Sequence, residues 1–214
     1  MMKKGILAVV AIAAVALVAF KEGDVESLKI GAKAPKTDLK MMSTSGRELS
    51  LQDVKKENGL LVVFSCNTCP FVVGSSDGSE GWEGRYDDIK ATCDRNNVGM
   101  VLVNSNEAKR EKGDNLEDMK MRAKEHGFEQ CAYVLDTNSQ LADAFGARTT
   151  PHIFLFDKNM ALAYKGAIDD NVGSSKDVKE PWLQNALVNM ATGKKIDPAE
   201  TKPMGCSIKR VVAN

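Results

Sequence analysis

Hydrophobic residues along this chain fall into two patterns. Short continuous blocks fit strands buried on both faces, and sets spaced by three and four fit helices with one inner face. Leu60-Leu61-Val62-Val63-Phe64 is the clearest block and predicts a strand over Leu60–Ser65. Val98–Asn104, Cys131–Leu135 and His152–Phe156 predict three more, and Asp157-Lys158-Asn159 turns the last into Ala161–Lys165. Tyr86, Ile89 and Cys93 give a helix over Arg85–Arg95 its inner face. Leu116, Met119 and Ala123 do the same for a helix that Asp114 begins, with Glu117 three residues on as its capping box. Leu141, Ala142, Ala144 and Phe145 predict a short helix stopped by Gly146, and Leu183, Ala186, Leu187 and Met190 a last one over Pro181–Thr192, stopped by Gly193.

Ahead of these lie an entry loop at Ile30–Pro35, a short strand within Gly46–Leu51 and a turn or brief helix at Leu51–Lys56. Strands alternating with helices imply an α/β domain whose sheet is mainly parallel, with right-handed crossovers and an antiparallel edge hairpin. Its ligand site is expected at the carboxyl ends of the strands. Gly74, Gly78, Gly81 and Gly84, set among Ser, Asp and Glu, predict a mobile, solvated loop after Pro70. Asp77, Ser79 and Glu80 suggest calcium there, but their spacing fits no calcium loop. Residues 194–214 read as a polar tail holding Cys206.

Of the 214 residues, 29 are basic and 29 acidic, so no net field draws nucleic acid to the surface. The N-terminus follows the charged-then-apolar order of an export signal: Lys3 and Lys4, then the uncharged run Ile6–Phe20, then Lys21-Glu22. Residues 1–22 are therefore read as a signal peptide or an uncleaved membrane anchor through residues 6–20, placing the protein in the periplasm or outside the cytoplasm. No cysteine follows the run, which excludes a lipid-modified one.

The strand at Leu60 ends in Cys66-Asn67-Thr68-Cys69-Pro70. Two thiols at this spacing can close a small disulfide ring, and such a motif lowers a thiol pKa from ~8.5 to roughly 3.5–7.5. A zinc site needs further ligands, yet there is no second Cys-x-x-Cys, and His126 and His152 stand alone. In an oxidising compartment Cys66 and Cys69 are expected to rest as a disulfide, leaving Cys93, Cys131 and Cys206 an odd set with at least one free thiol.

These residues resemble the thioredoxin superfamily, in particular its AhpC/TSA (redoxin-like) branch of exported thioredoxin-like proteins. The resemblance spans about Ile30–Asn189 and rests on Cys66–Pro70, on Gly146-Ala147-Arg148-Thr149-Thr150-Pro151-His152 and the strand after it, and on Tyr164–Asn171. It implies a thioredoxin fold over 30–193, a mixed sheet flanked by helices with an extra βα insertion. It also implies a cis peptide at Thr150-Pro151, with that loop laid against the dithiol as a docking surface. Pro203–Lys209 resembles the end of a group of bacterial thioredoxin-like proteins. Three features depart from the family. No acid precedes the first cysteine within Gly59–Val62, Asn67-Thr68 replaces Gly-Pro, and Cys66 stands where a peroxiredoxin carries Thr or Ser.

The resulting expectation is a thiol-disulfide oxidoreductase acting with a redox partner protein and needing no cofactor or metal. Cys66, the exposed member, attacks; Cys69 resolves; Thr150 and Pro151 shape the docking surface. A thiol peroxidase is the enzymatic alternative, with Cys69 as the peroxidatic thiol, Cys66 or Cys206 resolving it and Arg148 steadying the thiolate. A redox-responsive or copper-binding module is the other alternative, although the ten methionines are scattered. Cys206 is a candidate third thiol, either mobile or pinned back on the domain by Ile208.

Overall fold

The computed structural model describes residues 26–211. The expected signal or anchor over 1–22 lies outside the described residues, and among those described no helix is long and apolar enough to cross a membrane.

In chain order the elements are β1 (Met41–Met42), β2 (Glu48–Leu49), α1 (Leu51–Val54), β3 (Gly59–Ser65), α2 (Pro70–Val73), α3 (Tyr86–Arg95), β4 (Gly99–Asn104), α4 (Leu116–Glu125), β5 (Ala132–Leu135), α5 (Gln140–Phe145), β6 (Thr149–Thr150), β7 (His152–Asp157), β8 (Leu162–Gly166), α6 (Trp182–Ala191) and β9 (Cys206–Ser207). The central sheet runs β5-β4-β3-β7-β8. Its β3–β4 and β4–β5 ladders are parallel, while β3–β7 and β7–β8 are antiparallel. The sheet is evenly mixed, as the thioredoxin resemblance implied, and less parallel than the alternation of elements suggested, because β7 pairs antiparallel with β3 and the hairpin supplies two of the five strands.

Alternation along β3 explains why every residue of it is buried. Leu61 and Val63 face one core with Ile89 and Cys93 of α3, Met119 of α4 and Leu183 and Leu187 of α6. Leu60, Val62 and Phe64 face the other, with Leu51 of α1 and Leu141 and Phe145 of α5. A strand sandwiched between two helical layers has no polar face, hence the unbroken apolar run.

Several expectations change in three dimensions. Asn115 caps α4 with Asp118 as its reciprocal partner, one residue later than expected, which frees Asp114 for the site below. The glycine-rich stretch is tied down: Glu80 N–H donates to Gly173 O (3.0 Å), Gly81 N–H to Val172 O (3.2 Å), and Trp82 Nε1–H to Asp169 Oδ1 (2.9 Å). Trp82 and Glu83 are buried, with Arg122 paired to Glu83. Gly81 permits this fold-back, since a Cβ there would lie 2.3 Å from Gly74 N. The tail also differs: β9 pairs antiparallel with β6, and Ile208 is 5% exposed in the second core. Of the two expectations for Cys206, the structure takes the pinned one.

Candidate active site

Strand β3 delivers Ser65 to the carboxyl end of the sheet, and the chain then turns through Cys66–Cys69 into the single turn of α2. Gly74 stops that helix after Val73, so the helix dipole behind Cys69 is short. Both cysteines are buried, Cys66 at 1% and Cys69 at 3% exposure. The expectation of an exposed Cys66 is therefore corrected: the tail and the Thr149–His152 loop close over the pair. All five cysteines are free thiols, so the structure describes the reduced pair.

The loop entering β7 reaches the dithiol as expected, with a cis Thr150-Pro151 peptide. Thr150 Oγ1 lies 3.2 Å from Cys66 Sγ, and the Thr150 carbonyl accepts from the Cys69 thiol at 3.1 Å. His152 orders the loop as an acceptor, its Nδ1 taking the Arg148 N–H at 3.2 Å. Burial, with the charges of Lys165 and Arg148, lowers its pKa to about 3, so it stays neutral.

The two sulfurs are not equivalent. Cys69 Sγ accepts from the Cys206 backbone N–H at 3.3 Å. The Cys66 and Cys206 thiols also donate to it, and the Thr150 hydroxyl is shared between Cys66 and Cys69. These donors outweigh burial and lower the Cys69 pKa to about 5, the Cys66 bond contributing most. Cys66 moves the opposite way, because it is the donor in that shared bond, because it is buried and because Asp114 is near. The Thr150 carbonyl favours the protonated form of Cys69, but one neutral acceptor does not balance several donors, and the Cys206 N–H is a fixed one.

Asp114 is the site residue that the sequence reading missed. Fully buried, its Oδ1 accepts from the Asn67 N–H (2.7 Å) and Asn104 Nδ2 (2.8 Å), and its Oδ2 from Thr68 Oγ1 (2.7 Å) and Asn106 Nδ2 (3.1 Å). This accounts for Asn67-Thr68 between the cysteines: the Thr68 hydroxyl grips a carboxyl group supplied from 46 residues away, and the Asn67 side-chain amide donates to the carbonyl of Gly113 beside it (2.9 Å). Tyr133 Oη donates to Asn67 Oδ1 (3.0 Å) from the edge strand β5. A buried acid thus serves the dithiol from the start of α4 instead of from β3. The one available signal was an Asp next to an equally good cap, Asn115, which left one of the two with no local role.

Cys93 and Cys131 lie in the core beneath, 0% and 3% exposed, and burial pushes both pKa values up to about 12. Among the described residues no group of three or more His, Cys, Asp or Glu side chains is placed to hold a metal ion.

A family model, Redoxin, matches residues 29–181. No curated protein matches the chain. Among solved structures, a hypothetical protein from Sinorhizobium meliloti is similar at 28% identity and TM-score 0.76, over 88% of this chain and 98% of that one. An uncharacterized conserved protein from Geobacillus kaustophilus follows at 26% and 0.76, over 87% and 94%. A putative thiol:disulfide interchange protein DsbE from Chlorobium tepidum, 18% identical with TM-score 0.52 over 78% and 98%, shares the fold.

Proposed function

The chain belongs to the Redoxin family of thioredoxin-fold redox proteins, and on that premise we propose that it is a thiol-disulfide oxidoreductase whose exchanging pair is Cys66 and Cys69. The observation that carries this reading is the convergence of donors on Cys69: an ionised sulfur held beside a protonated one is the state from which disulfide exchange begins. This changes the roles expected from sequence. Cys69 carries the thiolate and attacks a disulfide of a partner protein, and Cys66, hydrogen-bonded to it, resolves the mixed disulfide. Thr150 and Pro151 hold the loop that a partner must meet, since Thr150 touches both sulfurs. Asp114 positions the turn between the cysteines. Exchange of this kind needs no organic cofactor or metal. Lys3, Lys4 and the run Ile6–Phe20 support work outside the cytoplasm, with the protein either released or tethered through that run.

Insulin reduction by the full chain with a dithiol donor tests the reading: activity is expected, Cys69→Ser removes it and Cys66→Ser lowers it. Unchanged activity in both variants would sink it. The peroxidase reading keeps one point in its favour, the low pKa of Cys69. Against it, the residue three before Cys69 is Cys66 and not a hydroxyl donor. Stopped-flow mixing with hydrogen peroxide is expected to give a slow, unsaturable reaction. Fast consumption that survives Cys66→Ser but not Cys69→Ser would favour the peroxidase.

A further inference from the structure

Cys206 follows Cys69 by 137 residues, yet its backbone N–H and its thiol both bond the Cys69 sulfur. The backbone N–H of Phe71 in turn donates to the Cys206 sulfur. The segment that brings it there is fixed at successive residues. Cys206 stands opposite Thr150 in antiparallel register, Ile208 N–H donates to Arg148 O (3.0 Å), and Lys209 N–H donates to Asn106 Oδ1 (2.9 Å). Gly205 approaches so closely that a Cβ there would fall 2.3 Å from Thr150 O, which only glycine allows. Three sulfurs therefore line up with Cys69 in the middle. Cys66 and Cys69 are closed off, whereas Cys206 is partly exposed on a strand of two residues. So short an edge pairing opens far more readily than the core below it.

We propose that Cys206 is a third redox thiol of this site, a resolving cysteine that competes with Cys66 for Cys69 and carries the disulfide between the buried pair and the surface. This rests on the oxidoreductase reading above and adds a second thiol that displaces the bound partner from Cys69. The oxidant is a disulfide R–S–S–R′ of a partner protein or small molecule. The Cys69 thiolate attacks one sulfur, the Cys69–S–R bond forms, the substrate S–S bond breaks, and R′S⁻ leaves to take up the proton that Cys69 had released. Cys206 then loses its proton and attacks Cys69 Sγ. The Cys69–Cys206 bond forms, and RS⁻ leaves and takes that proton. Two cysteines are oxidised and one substrate disulfide is reduced to two thiols. Attack of Cys66 on Cys69 moves the bond inward to Cys66–Cys69 and returns Cys206 to a thiol, with no net redox change.

The test uses the full reduced chain, glutathione disulfide as oxidant, acid quenching, alkylation and mass mapping of the disulfides. Wild type is expected to contain both Cys66–Cys69 and Cys69–Cys206. Cys66→Ser, with Cys66→Ala as a second variant against misfolding, is expected to yield Cys69–Cys206 as its main product. It should release glutathione from Cys69 at least about tenfold faster than Cys66→Ser/Cys206→Ser, because a tethered thiol acts at a high effective concentration. Persistent glutathione on Cys69 in both Cys66 variants, with the lifetime of the double variant and Cys206 free, would overturn the proposal. If Cys66–Cys69 forms in wild type and Cys69–Cys206 forms nowhere, the oxidoreductase reading stands and this one falls. If Cys69 neither takes up glutathione nor enters a disulfide, both fall.

Discussion

Two sets of cysteines share one hydrophobic core, and their surroundings set them apart. Cys93 and Cys131 are as hidden from water as Cys66 and Cys69, and both pairs lie on the same face of the sheet. Around Cys93 and Cys131, burial dominates and their thiols are pushed up to about 12. Around Cys69, the Cys206 N–H, two thiols and a hydroxyl reverse the sign, and the pKa falls to about 5. Burial alone makes a thiol inert, and burial with directed donors makes it a nucleophile. The difference comes from what converges on Cys69, the Cys66 thiol foremost, with β6, β9 and the start of α2 meeting there, whereas Cys93 lies mid-turn in α3, whose N–H groups are already paired.

Replacing Cys69 should break the contrast most. Cys69→Ser is expected to bring disulfide exchange down to the uncatalysed background, while Cys93→Ala leaves it at the wild-type rate; insulin turnover by the two variants side by side checks both. Next in size is Asp114→Ala, which strands the buried amides of Asn104 and Asn106 and releases the Asn67 N–H and Thr68 hydroxyl of the Cys66–Cys69 turn. A loss of about 3 kcal/mol or more is expected in urea unfolding of the reduced protein, with slower exchange besides. An unchanged midpoint would mean that Asn67, Thr68, Asn104 and Asn106 find other partners.

The pH dependence of stability sharpens the same contrast. Between about 5 and 9.0 the unfolded chain holds a proton on Cys69 that the folded chain does not, so stability of the reduced protein should rise with pH across that window. The slope is at most about 1.4 kcal/mol per pH unit for one group. Above 9.0 the sign inverts, because Cys66, Cys93 and Cys131 stay protonated in the fold while their unfolded counterparts ionise. Denaturation midpoints from pH 7 to 10, above the range in which neutral His152 adds its own rise, should show the rise and the turn, and Cys69→Ser should flatten the rise alone. The smallest effect expected is that of Cys93→Ala, about 1 kcal/mol from one lost buried atom group, measured by thermal unfolding.

Much of the fold was legible because its signals are local. The five-residue apolar block of β3, the three-four spacing of α3 and the apolar face of α6 each need a buried surface of one shape only. The Cys66–Cys69 pair was legible for the same reason, since two thiols three positions apart at a strand end are neighbours in any fold. The cap of α4 was misplaced by one residue because Asp114 and Asn115 are both good caps, and only the demand of a remote loop for a buried acid separates them. The glycine-rich stretch read as solvated because its partners, Val172 and Gly173, are some ninety residues on.

The sequence by itself determined the order of strands and helices, the Cys-x-x-Cys at the end of β3 and the Thr-Pro loop at the head of β7, since each follows from spacing along the chain. Tertiary structure decided which sulfur ionises, what holds the turn between the cysteines and where Cys206 goes. Those outcomes depend on Asp114, 45 residues after Cys69 (114 minus 69), and on a tail 137 residues beyond it. Hydrogen bonds reach about 3 Å and have no memory of sequence distance. A pattern of neighbours can announce a thiol pair, but the donors that set its chemistry arrive only when the chain has folded around it.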